Sequence, residues 1–342
     1  MKKVLLFIKI VLFFNVLMTL ALIAAFFLPH ISPSKFGLLS LLSLFVPLVI
    51  FANVFFVLFW VLAGFKKFFF ISLIALITGY FMLPQIFKFG TPDALSPSPE
   101  KSLKLLTYNV RKFNKFNWMK TKDVDKKIDS FITKLSPDIV ALQEFIKAEN
   151  FNLHYPYSYT NLTDHKMLSG LAIYSKFPIV NKGELNLGKT FNRGIYVDIV
   201  KDKDTLRIYS FHLQSLGLDP ERNYIEAPKA SKRLVRSMRY SFERQQEQIE
   251  GFNKQIAVSK YPVIIMGDMN NTAFSWAYKH FKNDFNDSFL EKGSRFGTTY
   301  RLKGFPLRID YIFSDKKIPV LSHQNFDVTL SDHYPVMATV AW

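Results

Sequence analysis

The chain has no cysteine among its 342 residues, which excludes disulfide cross-links and thiolate metal sites. No acidic residue occurs before Asp93. An apolar opening segment without carboxylates cannot line an ion path with acids, which removes the usual signature of a transporter. Internal repeats and low-complexity tracts are also missing, so solenoid and fibrous architectures are excluded. What is there in excess is apolar: hydrophobic residues make up 49% of the chain, high for a soluble protein of this length.

That apolar content sits at the front. Residues 4–28, 36–64 and 68–87 are long hydrophobic runs, each reaching the roughly 20 residues a helix needs to cross a bilayer. The first run follows Lys2 and Lys3, as a signal peptide would, but it is too long, and two more runs follow with no soluble segment between them. The expectation is a transmembrane region at 1–88 with three helices that embed the chain in a lipid bilayer. Lys2 and Lys3 flank one end, Lys66 and Lys67 form the turn between the second and third runs, and Lys35 lies in the opposite loop. The positive-inside rule then puts the N-terminus in the cytoplasm and everything after the third run outside it. Richness in Lys, Ile, Phe and Asn points to a bacterial source, and hence to the inner membrane.

Residues 89–102, "FGTPDALSPSPEKS", change character abruptly and read as a linker. The formal net charge is +17, and the seven lysines among residues 1–88 account for only part of it. A basic balance in the remainder suits phosphate-bearing or anionic partners, or an anionic membrane surface. No protein partner can be inferred.

From 103 to 342 the pattern is that of one α/β domain. "LKLLTYNV" (103–110), a helical spacing over 121–135 and "DIVALQE" (138–144) give a β-α-β opening. Strand patterns follow from 155 to 213, the last pair joined by "KDKD" as a hairpin, then a long amphipathic helix near 229–259. The basic residues of that helix read as a solvated face. "YPVIIMGDMNNTAFS" (261–275), a helix near 273–282, "RIDYIFSD" and "SDHYPVMATVAW" complete the chain. Polar residues recur at the tips of the apolar strands: Asn109, Glu144, His212, Asp268 with Asn270, Asp310, and Asp332 with His333. Taken singly, each has a structural reading as a turn, a cap or a satisfied core histidine. As a set at strand ends they mark a site, because the core fixes the backbone while the tip stays accessible.

The ordered motifs "TYNV", "LQE", "GLAIYSKFPI", "SFHLQS", "GDMN", "RIDYIF" and "SDHYPV" resemble the endonuclease/exonuclease/phosphatase superfamily, over about Leu103 to Trp342. The resemblance implies an α/β (α+β) fold, a four-layer α/β sandwich of two packed mixed β-sheets flanked by helices. It also implies a phosphoesterase that needs a divalent metal, Mg²⁺ or Mn²⁺. In that pattern Asn109, Glu144 and Asp332 match metal-side residues, and Asp268 matches the acid that orients or deprotonates water. Asn270 matches an amide that holds a phosphate oxygen, and His333 a base or charged stabiliser with Asp310 as its orienting carboxylate. His212 matches a histidine on the phosphate or leaving oxygen, and Arg193 a phosphate-binding arginine that reads equally well as an exposed hairpin residue. Hard oxygen donors suit Mg²⁺, and phosphoryl transfer needs an activated water and charge neutralisation.

Three substrate classes fit: nucleic acid, phospholipid head groups and phosphorylated metabolites. The loop after His212, "QSLGLDPERNYIEAPKAS", is expected to shape that choice. The alternative is a catalytically inactive member acting as a membrane-tethered binding module. Sequons at Asn161, Asn270 and Asn286 read as chance, since a glycan on Asn270 would block the site.

Overall fold

The computed structural model describes residues 2–90, 101–162, 169–185, 187, 193–217, 228–302 and 305–342. Most of the expected linker and most of the loop after His212 lie outside the described residues.

The N-terminal segment forms α1 (Lys2–Ala25), α2 (Pro33–Ser40), α3 (Leu42–Leu62) and α4 (Lys66–Tyr80). Two stretches, Lys2–His30 and Pro33–Leu62, are long and apolar enough to cross a membrane by length and composition. The third expected span is not a third such helix. α4 has only 15 residues, about 22 Å at the rise of an α-helix, and the chain then turns through Leu83–Gln85 into β1 (Phe87–Lys88). Pro84 accounts for the stop: it lacks an N–H, and its ring would collide with the carbonyl of Tyr80, where the helix ends.

α4 packs along both α1 and α3. Polar side chains meet inside this bundle. Trp60 Nε1 donates to Asn15 Oδ1 (2.7 Å), the Asn15 amide donates to Ser72, and Thr19 donates to Asn53 Oδ1 (3.1 Å). Phe13, Leu20, Phe55 and Ile77 point outward and are exposed. Polar groups inside and apolar groups outside is the arrangement a bundle adopts in hydrocarbon.

The rest of the chain runs β2 (Ser102–Asn109), α5 (Val124–Leu135), β3 (Ile139–Phe145), β4 (Tyr157–Leu162), β5 (Gly170–Ser175), β6 (Ile179–Leu185), β7 (Gly194–Lys201) and β8 (Asp204–His212). It continues as α6 (Pro228–Ala257), β9 (Val263–Asp268), α7 (Trp276–Lys282), β10 (Phe285–Asp287), α8 (Ser288–Lys292), β11 (Arg295–Phe296), β12 (Tyr300–Leu302) and β13 (Phe305–Leu307). β14 (Asp310–Asp315), β15 (Val320–Asn325) and β16 (Val336–Ala341) close it.

Two six-stranded sheets result, ordered β15-β16-β2-β3-β5-β4 and β10-β14-β9-β8-β7-β6. Both are mixed: β2 runs parallel to β3 and β8 parallel to β9, while the other pairs are antiparallel. Strand alternation makes the layers. Leu103, Leu105, Ile139 and Ile173 of the first sheet face Ile195, Val197, Ile208 and Ile264 of the second. On the outer faces, Leu106, Tyr108 and Val140 pack on α5 residues Ile128 and Ile132, while Tyr209, Phe211 and Ile265 pack on Phe252 of α6 and Phe281 of α7. The expected four-layer sandwich of two mixed sheets flanked by helices is the fold found.

The N-terminal bundle is docked on this sandwich. β1 pairs antiparallel with β11, and α2 lies against α6. Ser32 donates to Gln246 (2.8 Å), Arg308 Nε donates to the Gln85 carbonyl (3.1 Å), and the Lys88 ammonium donates to the Leu290 carbonyl.

Candidate active site

Register brings the polar tips together. His212, Asp268 and Asp310 are direct neighbours across β8, β9 and β14. Asn109 ends β2 beside Gln143 of β3 in the other sheet, and its Nδ2 bridges the sheets by donating to Asp268 Oδ2 at 3.0 Å. The same amide lies 3.4 Å from Glu144 Oε1.

Three backbone irregularities aim these side chains. Glu144 has φ +49° at a register shift between Leu142 and Phe145, a bulge that re-aims a side chain which strict alternation would send towards α5. Asn270 also sits at positive φ, +50°, and this places its amide to donate to the Leu213 carbonyl at 3.0 Å. Gly267 has φ +146°, and a Cβ there would lie 2.0 Å from the Phe211 carbonyl oxygen, so β8 and β9 approach too closely for any side chain at this point.

Asp268 is fully buried and at the centre. Its Oδ1 accepts the Asn270 N–H at 2.7 Å, and its Oδ2 lies 3.5 Å from His212 Nε2 and 3.7 Å from His333 Nε2. His333 Nδ1 meets Asp310 Oδ2 at 2.9 Å. Burial opposes charge on His333, but the Asp310 and Asp268 carboxylates outweigh it and push its pKa up to about 10. Burial, aided by the Asp310 charge, raises the Asp268 carboxyl to about 6 against the opposing pull of His333 and His212. A charged imidazole thus stands beside an acid that binds its proton more tightly than usual. Ligand atoms of Asp268, Asp310 and His333 lie within 4.8 Å of one another, close enough to surround a cation.

The cluster opens into a pocket of about 70 Å³ whose walls include Leu44, Glu144, Leu216, Asn270, Asp332 and His333. Glu144 and Asp332 are half-buried there. Their oxygens could hold a hard cation that keeps some of its waters, with the Asn109 amide at Glu144. Asp332 is also tied to Arg111 Nε (3.3 Å) and Ser331 (3.2 Å). Arg193 takes a different place: its guanidinium pairs with Glu184 of β6 at 2.9 Å, while its carbonyl accepts the His212 N–H at 2.8 Å.

Several neighbours had no signal in the sequence. The Tyr300 ring lies 4.8 Å from the His333 ring, and Thr299 Oγ1 accepts the N–H groups of Ile309 and Asp310, fixing the start of β14. Tyr300 also borders a second cavity of about 360 Å³, with Phe296, Arg301, Pro306, Asn325 and Tyr334. Asn271 and Thr272 dock on the bundle. Thr272 Oγ1 donates to the Ser43 carbonyl at 2.9 Å, Ser43 Oγ donates to Asn271 at 3.4 Å, and α7 begins later with Ser275 as its cap.

The profile described as Endonuclease/Exonuclease/phosphatase family matches residues 106–333, and a domain of unknown function, DUF8431, matches residues 8–86. No curated protein matches the chain. Among solved structures, the human Nocturnin catalytic domain with bound sulfate anion is similar at 17% identity, covering 73% of this chain and 98% of that one, with a TM-score of 0.54. The endonuclease/exonuclease/phosphatase from Bacteroides vulgatus is similar at 16% identity over 70% of this chain and 99% of that one, TM-score 0.54. D. rerio TDP2 complexed with single strand DNA product is similar at 14% identity over 71% and 100%, TM-score 0.52. At these identities the structural likeness shows the fold, and the profile match over most of the domain shows the rest: the chain belongs to the endonuclease/exonuclease/phosphatase family.

Proposed function

We propose that the chain is a divalent-metal-dependent phosphoesterase, anchored in a membrane by its N-terminal helices. The observation that carries this reading is the convergence of His212, Asp268 and the His333–Asp310 pair at adjoining strand ends, open to a pocket edged by Glu144 and Asp332. Family members are hydrolases acting on phosphate esters. An intact relay of this kind counts against an inactive binding module.

Glu144, Asn109 and, at the rim, Asp332 would hold Mg²⁺ or Mn²⁺. When bound, the ion supplies charge neutralisation at the phosphoryl oxygens. Asp268 orients a water and takes its proton, a role helped by its raised affinity for one. His333, kept charged and oriented by Asp310, donates to the phosphoryl oxygen as charge builds there. The second N–H of the Asn270 amide supports the same oxygens, and His212 gives a proton to the leaving oxygen. Arg193 enters only by positioning the His212 backbone.

The anchor reading rests on the two long apolar helices and the polar-inside bundle. The shorter α4 leads the chain back beside α1 and α3, so the catalytic part sits at the bundle end opposite the N-terminus. With Lys2, Lys3, Lys66 and Lys67 gathered at the far end, the catalytic part lies outside the cytoplasm.

Full-length protein in detergent should hydrolyse bis-p-nitrophenyl phosphate with Mg²⁺ or Mn²⁺ and lose that activity in EDTA. A rate indifferent to EDTA would remove the metal, and no hydrolysis with either ion would remove the phosphoesterase reading.

A further inference from the structure

The wall of the catalytic pocket is not made by the sandwich alone. Leu44, the third residue of α3, lines it together with Leu216, Leu307 and Ile309, in the same pocket as Glu144 and His333. Leu44 also belongs to an apolar cluster with Leu216, Met238 and Phe242, which ties α3 to α6. Along α3, Pro47 and Phe51 follow Leu44 at spacings of three and seven, and so share its face. They border a small hollow with Ile86, Phe296 and Pro306. Phe296 and Pro306 also border the larger cavity, whose wall is half polar, with Arg301, Asn325 and Asp327, and which shares Tyr300 with the catalytic pocket.

The face of α3 formed by Leu44, Pro47 and Phe51 is thus an apolar track that leads from the phosphate site down the side of a helix long and apolar enough to span a bilayer. Phe45, Leu48 and Phe51 are exposed along it. Beside the track, α6 carries exposed Lys232, Arg233 and Arg236 next to α2, where anionic head groups would lie.

We propose that the substrate is a membrane phospholipid, whose phosphate enters the site while its acyl chains stay against α3. This rests on the phosphoesterase reading above. Water's oxygen forms a new bond to phosphorus, the P–O bond to one ester oxygen breaks, and the departing alcohol leaves with a proton from His212. The track keeps the chains in apolar contact, so the lipid need not be drawn into water to react. A nucleic acid, with a charge at every phosphate along its length, would be pressed against this leucine wall and the bilayer beside it.

The test uses the full chain reconstituted in vesicles of phosphatidylethanolamine and phosphatidylglycerol, with Mg²⁺ or Mn²⁺. Loss of intact phospholipid is followed by mass spectrometry, and bis-p-nitrophenyl phosphate, plasmid DNA and single-stranded DNA are assayed in parallel. Consumption of phospholipid with little or no cleavage of DNA is the expected result. Hydrolysis of the soluble ester together with DNA but not phospholipid overturns the lipid assignment and leaves the phosphoesterase reading intact. No hydrolysis of anything overturns both. Leu44→Arg should lower the ratio of phospholipid to soluble-ester turnover by about tenfold or more, as expected for a disrupted apolar pocket. Leu44→Gln, closer in volume, should move the ratio in the same direction if the arginine variant fails to fold. An unchanged ratio in a folded variant overturns the track.

Discussion

The most consequential single contact is that between His333 Nδ1 and Asp310 Oδ2, at 2.9 Å and out of water. Asp310→Asn keeps the shape but removes the charge and offers an amide N–H where the imidazole needs an acceptor. By analogy with other buried Asp–His pairs, kcat should fall about 10³- to 10⁴-fold. A fall below tenfold on bis-p-nitrophenyl phosphate would show that Asp310 does not orient the histidine. His323 makes the opposite case. It is buried between Ser288 and Asn325, each at 2.9 Å, and desolvation lowers its pKa to about 4. The unfolded chain takes up a proton near pH 6.5 and the folded chain only near 4. The neutral histidine's contribution is thus complete above 6.5 and is lost as pH falls to about 4, a difference of about 3 kcal/mol. In His323→Gln the drop in thermal midpoint between pH 6.5 and 4 should shrink, and a drop equal to wild type would refute the assignment. The candidate residues could be picked out at this scale from their place at strand ends and from the motifs that resemble the family's. Of the partnerships, only that of His333 with Asp310 was expected; the 3.5 Å approach of Asp268 to His212 and the Tyr300–His333 contact depend on register between distant strands.

Among elements, β9 shows how a strand delivers its cargo. Val263 to Met266 are buried and anchor the strand, and Gly267 lets its end close against Phe211 before Asp268 emerges. Gly267→Ala combines a forbidden φ with a backbone collision and should destabilise by about 2–5 kcal/mol. Wild-type stability in denaturant would contradict the close approach. Long, strictly patterned elements such as β2, α5 and α6 could be read from periodicity, and so could the hairpin at Lys201–Asp204, whose Asp202 and Lys203 have positive φ. Shorter ones could not: β10 to β13 have two or three residues each, too few for any period to show. The early end of α4 was written in Pro84, but the hydrophobic run on both sides of it masked the signal.

At the scale of the whole molecule, a bundle and a sandwich that look separable in sequence meet at the site itself. Nothing in the linear pattern puts Leu44 and Asn270 on one pocket, because that depends on how two independently patterned parts dock. The docking sets the topology test: a reporter at the C-terminus should be active only outside the cytoplasm, and cytoplasmic activity would overturn the return of the chain along α4.

Pro47 lies inside α3. With no N–H of its own, it leaves the carbonyl of Ser43, four residues earlier, without its helical donor. That carbonyl is the one that takes the Thr272 hydroxyl. The gap in the helical ladder is therefore a socket, and the active-site turn is the plug. In a helix with an unbroken ladder that carbonyl would already hold the N–H of the residue four places on.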